Sequence, residues 1–110
     1  MTWNVNGLLD KIKKGAVLRA ALRAEVDILL LQETHLLGNN TPFLARVGFG
    51  SAYHSGFVRG SRGVGILIRR WLKFQQARTW HDKMGRYVGV TGTLGNTVLS
   101  QGISIDSDNL

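Results

Sequence analysis

Residues 26–36, VDILLLQETHL, decide how this chain folds. From Ile28 to Leu31 every position is apolar, and then Gln32, Glu33, Thr34 and His35 are polar. An unbroken apolar run of strand length suits a strand covered on both faces, as in a parallel βαβ unit. Its partner lies upstream. Residues 2–6, TWNVN, alternate, with Trp3 and Val5 on one face and Asn4 and Asn6 on the other, and Gly7 ends the run. Between the two, Lys11 to Ala24 has helical period. Ile12, Ala16, Val17, Ala21 and Ala24 fall near one face, with Lys11, Lys14, Arg19 and Arg23 mostly off it. Gly15 weakens that helix by about 1 kcal/mol relative to alanine. The connection is long enough for the right-handed crossover that parallel strands need.

The remainder changes character. Leu36 to Gly50 is loop-like, broken by Gly38, Asn39, Asn40 and Pro42. Strand candidates then follow at residues 50–54, 64–68, 74–80, 86–93 and 97–105, with a glycine-rich loop over Ser55 to Gly63. Short strands joined by tight glycine turns predict an antiparallel meander. A length of 110 residues bounds the chain to one domain or part of one, and a hydrophobic content of 44% supports a buried core. With no cysteine, disulfide frameworks and Cys-ligated zinc are excluded, which fits a reducing compartment. The run from Ile28 to Leu31 is far too short to cross a bilayer, and no segment resembles a signal peptide. Lys and Arg number 14 against 7 acids, a formal charge of +7. Such a field attracts polyanions, nucleic acid foremost.

Ligand sites in open α/β layers lie beyond the carboxyl ends of the strands. Asn4 and Asn6 end the first strand and Glu33 the second, so parallel pairing brings amide and carboxylate oxygens to one sheet edge. Oxygen donors of that kind suit Mg²⁺, which takes one or two carboxylates and keeps several waters. A carboxylate after a buried run is costly unless paired or metal-bound. Two plainer alternatives stay open on the residues alone. Asn6-Gly7 is also a hairpin signal, and Glu33 could cap a helix starting near Leu36.

TWNVNGL (2–8), a basic helix and DILLLQETHL (27–36) together resemble the amino-terminal signature of the endonuclease/exonuclease/phosphatase superfamily. The QETHL and NVNGL forms look most like the endonuclease domain of LINE-type retrotransposons. Residues 61–68, SRGVGILI, are similar to the family's S-x-G-V-x-I-L-I strand, and residues 82–88, DKMGRYV, to its D-x-x-G-R-Y-V turn and strand. The resemblance implies an α/β fold, the amino-terminal half of a four-layer DNase I-like sandwich with mixed and antiparallel sheets and a flanking helix. It implies Mg²⁺ or Mn²⁺-dependent phosphodiester hydrolysis. Asn4 matches the asparagine that orients phosphate or attacking water, Asn6 a position near the metal, and Glu33 the metal-binding glutamate. His35 is implied as a loop residue near the site and Arg86 as a buried organiser of it. Arg59, Arg62, Arg69 and Arg70 form a candidate DNA-backbone surface, against the alternative of a solvated loop and strand end. The implied partners are DNA and, in a parent polypeptide, a reverse transcriptase, with no membrane and an intracellular location that includes the nucleus.

The departures are specific. Where the family carries a tyrosine-containing N-x-Y-x-P-N stretch, residues 101–106 read QGISID, and the later G-D-x-N and S-D-H motifs have no counterpart. The sequence therefore predicts a partial domain over 1–110, inactive alone and marginally stable, with one sheet face uncovered. A phosphatase of the same superfamily and a non-enzymatic, degenerate nucleic-acid-binding remnant stand as alternatives.

Overall fold

Seven strands and one helix make two sheets in a computed structural model that describes residues 1–36, 48–56, 62–82, 84–95 and 97–104. Strand β1 (Thr2–Asn4) leads through α1 (Lys11–Arg23) to β2 (Ile28–Gln32). The two strands are parallel neighbours, Trp3 opposite Leu31 and Asn4 opposite Gln32. The crossover expected from the sequence is therefore present, and the hairpin alternative for Asn6-Gly7 is not. Asn6 (φ 49°) and Gly7 (φ 99°) turn the chain toward α1 instead. Asp10 caps that helix, its carboxylate accepting the Ile12 N–H at 2.8 Å.

The buried stripe of α1 is Lys14, Val17, Leu18 and Ala21, at i, i+3, i+4 and i+7. This corrects the face read from the sequence. Ile12 is 80% exposed, Ala16 and Ala24 face solvent, and Lys14 is only 6% exposed. Leu18 sets the phase, because the bulkiest mid-helix side chain gains most from burial, and the lysine stem packs along the same stripe.

Strands β3 (Phe49–Ser55) and β4 (Val64–Arg69) do not join the meander that the sequence suggested. They extend the first sheet antiparallel, in the order β1-β2-β4-β3. The cause lies in β4, which is buried along its whole length. A strand apolar on both faces belongs at the centre of a sheet between two layers. Leu67 packs with Val17, Leu18, Ala21, Leu29 and Leu31 on the helix side, whereas Val64, Ile66 and Ile68 meet Val88 and Val90 on the other. The meander proper is β5 (Phe74–His81), β6 (Tyr87–Leu94) and β7 (Thr97–Ser104), an antiparallel second sheet. Helix, mixed sheet and antiparallel sheet are thus stacked. On the outer face of the second sheet Trp80 lies against Gly89 and, with Tyr87 and Val98, remains exposed. A fourth layer over that face is not among the described residues.

Candidate active site

The carboxyl ends of β1 and β2 continue side by side beyond the sheet. Val5 N–H donates to Gln32 O at 3.0 Å, Gly7 N–H to Glu33 O at 2.7 Å and Leu8 N–H to Thr34 O at 2.7 Å. The stretches NVNGL and QETH are therefore zipped together residue by residue. Asn4 and Asn6 are exposed and Glu33 half-buried at this edge. Asn6 N–H donates to Asn4 Oδ1 at 3.1 Å, which orients the Asn4 amide. The His35 ring lies against Gly7, where an added Cβ would come within 2.9 Å of Nδ1. Lys13, on the first turn of α1, donates to Asn6 O at 3.1 Å and sets a cation at the rim, a contribution that sequence period alone did not single out.

A second pair of connections meets the first. Thr34 N–H donates to Gly63 O at 3.1 Å, His35 N–H to Arg62 O at 3.0 Å, and Gly63 N–H to Gly85 O at 3.2 Å. The start of β4 and the β5–β6 turn are thereby drawn to the exit of β2. Gly63 has φ 135°, and a methyl group there would overlap the Thr34 hydroxyl. Gly63→Ala is expected to destabilise the fold by about 2 kcal/mol or more, from overpacking and a backbone conformation that side chains avoid. A drop in the thermal midpoint checks this.

Arg86 is not the buried organiser that the resemblance implied. Its side chain is 45% exposed and pairs with Asp82 at 3.3 Å. The organiser is Asp82, whose carboxylate accepts the Ser55 hydroxyl at 2.9 Å, the Arg86 N–H at 3.0 Å and the Tyr87 N–H at 3.4 Å. Burial pushes the Asp82 carboxyl upward, but these donors and the Arg86 guanidinium outweigh it and hold it below the ordinary aspartate value. Asp82 opens the DKMGRYV motif, so its position was visible in the sequence although its role was not.

The four arginines expected on a DNA surface divide. Arg62 lies beside the site, half-buried, its guanidinium donating to Met84 O at 3.5 Å. Arg69 and Arg70 leave β4 at the opposite end of the sheet, where Arg69 N–H meets Asp27 O. Arg69 is 7% exposed, with its guanidinium stacked 3.7 Å from the Trp71 ring centre. A guanidinium held between rings at the far edge does not join the Asn4–Glu33 edge. Arg59 lies outside the described residues.

The family profile for the Endonuclease/Exonuclease/phosphatase family matches residues 1–105. The chain belongs to the endonuclease/exonuclease/phosphatase family. The two-sheet α/β architecture is compatible with an amino-terminal portion of a DNase I-like fold. This family hydrolyses phosphodiesters or phosphate esters and is generally dependent on a divalent metal. The oxygen-bearing side chains at this edge are of the type such an ion takes. Among the described residues no three His, Asp or Glu side chains cluster. The backbone brings the strand ends that carry Asn4, Asn6 and Glu33 together, and Mg²⁺ needs only one or two protein carboxylates where water and substrate phosphate supply its other ligands. Among the described residues no helix is long and apolar enough to cross a membrane.

Proposed function

We propose that this chain carries the metal-holding, phosphate-orienting part of a Mg²⁺-dependent DNA endonuclease of the LINE-retrotransposon type. The observation that supports it most is the zipping of NVNGL to QETH, which gathers Asn4, Asn6 and Glu33 at one sheet edge. Glu33, with Asn6 beside it, would hold Mg²⁺ or Mn²⁺, and the ion when bound supplies Lewis-acid polarisation of a phosphate oxygen. Asn4, pre-oriented by the Asn6 N–H, presents its amide to a phosphate oxygen or to the attacking water. His35 shapes the loop against Gly7. Lys13, Arg62 and Arg86 add positive charge around this edge, and such groups neutralise backbone phosphates without reading sequence.

DNA is favoured over a small phosphate ester by the formal charge of +7, since a polyanion releases counterions in proportion to the phosphates it exposes. The retroelement reading also implies a reverse transcriptase in the parent polypeptide and a nuclear site of action. Fluorescence anisotropy with a duplex oligonucleotide tests the substrate class. The expected result is binding whose log affinity falls linearly with log salt and that free inositol phosphates do not displace at equal phosphate concentration. Inositol phosphate binding with no affinity for the duplex would favour a phosphatase, and binding of neither would leave a non-functional remnant.

A further inference from the structure

The residues on either side of Thr34 adopt backbone conformations that side chains avoid, with φ 53° at Glu33 and φ 58° at His35. Such conformations persist only where the surroundings over-determine them, and they gather at functional sites. Part of the restraint here is main-chain, through Gly7, Leu8, Gly63 and Arg62. Those bonds fix the path of the chain but are shared with its neighbours in the zip.

One side-chain bond acts on this turn alone. Thr34 is fully buried, and its hydroxyl lies 2.7 Å from Nε2 of His54, itself 4% exposed on β3. The hydroxyl oxygen also accepts the Leu36 N–H at 3.4 Å. Hydroxyl and imidazole can each donate or accept here, and the direction follows the His54 tautomer. Gly63 makes the meeting sterically possible, since a Cβ at that position would stand within 3.3 Å of His54 Nε2 as well as in the hydroxyl's place. Three segments of the chain thus close around one hydrogen bond between two buried side chains.

We infer that the Thr34–His54 hydrogen bond is a positioning device that holds Glu33 in its left-handed turn and so sets where its carboxylate stands for a divalent ion. Thr34 and His54 are positioning residues, acting through Glu33. The inference rests on the proposed role of Glu33 as metal ligand. It predicts that removing the hydrogen bond weakens the ion's hold without removing any ligand, as outer-sphere changes at metal sites do, by about tenfold.

Mn²⁺ titration of the full chain, followed by electron paramagnetic resonance, tests this on five variants whose folding is checked by thermal melts. Thr34→Val keeps the volume and removes the bond, so affinity should fall about tenfold. Thr34→Ser removes a methyl group and keeps the bond, so affinity should stay within about twofold of the parent. His54→Phe should match Thr34→Val from the other side, should that variant fail to fold, and His54→Gln should restore binding because its amide can accept from or donate to the hydroxyl. Parent-like affinity in Thr34→Val or His54→Phe, or equal losses in Thr34→Ser and Thr34→Val, would overturn the inference in favour of simple packing. Undiminished binding in Glu33→Gln would instead overturn the ligand role of Glu33 and this inference with it, whereas loss in Glu33→Gln alone removes only the positioning role.

Discussion

Glu33→Gln is expected to weaken Mn²⁺ binding by about a hundredfold or more, beyond the 10–100-fold that outer-sphere changes cost. The size of the effect follows from the scarcity of acids at this edge. Among the described residues the other carboxylates are engaged or lie at the far end of β2. Asp10 is engaged at the N-terminus of α1, Glu25 and Asp27 lie where β2 begins, and Asp82 is spent on the β5–β6 turn. No neighbour can take over as the charged ligand, and a neutral amide is a poor substitute for a hard cation. The fold should not suffer, because the strand-exit bond at Glu33 is made by its carbonyl, which accepts the Gly7 N–H. Isothermal titration with Mn²⁺, alongside a melt unchanged to within a few degrees, checks both halves of the expectation.

Asp82→Ala is expected to have the opposite profile, a large loss of stability of about 3 kcal/mol. The carboxylate is the common acceptor for Ser55 on β3, for the Arg86 and Tyr87 amides that start β6, and for the Arg86 side chain at 3.3 Å. Hydrogen bonds to a charged acceptor contribute about 1.5–3 kcal/mol each, and since the Arg86 and Tyr87 donors are exposed and regain water on deletion, the total stays near that of one or two such bonds. The Ser55 hydroxyl is also within 2.8 Å of the Asp82 carbonyl, which softens the loss there. Chemical denaturation gives the magnitude. The pH dependence gives the sign. Because the folded carboxyl titrates below the ordinary aspartate value, its contribution is fully present above about pH 4 to 5 and is lost as pH falls through the folded pKa. Asp82→Asn should flatten the acid limb of the stability profile, and an acid limb identical to the parent's would show that the network does not carry it.

Much of the fold could be read from two stretches. The alternation of TWNVN and the unbroken run in VDILLLQ specify an edge strand beside an inner one, and that pairing is what forms, although β2 alternates half-buried Ile28 and Leu30 with buried Leu29 and Leu31 rather than being covered on both faces. The strand candidates in the second half were also close to the observed bounds. What could not be read was their partition. Local period marks β3 and β4 as strands, but their membership in the first sheet is decided by β4 being apolar on both faces, and SRGVGILI gives that pattern no direction. The helix face was misjudged for a related reason. A stripe of Lys14, Val17, Leu18 and Ala21 contains a lysine, and period arguments treat charge as an outward mark although a four-carbon stem packs well. At the candidate site the proposed ligands are legible because motif and strand end coincide. Thr34 and His54 were not, because a buried hydrogen bond between residues 20 apart leaves no periodic trace. Asp82 was legible as a motif letter only, its partners being fixed by the turn that it builds.

In the proposed function the exits of β1 and β2 meet so that an amide edge and one acid share a divalent ion. Crystals of the chain grown with Mn²⁺, measured at a wavelength sensitive to that metal, test it without reference to activity. The expected result is an anomalous peak at about 2.0–2.2 Å from a Glu33 carboxylate oxygen, with Asn6 beside it, Asn4 in reach and waters completing the octahedron. A peak held by other residues, with the Glu33 carboxylate directed away from Asn4 and Asn6, would contradict it.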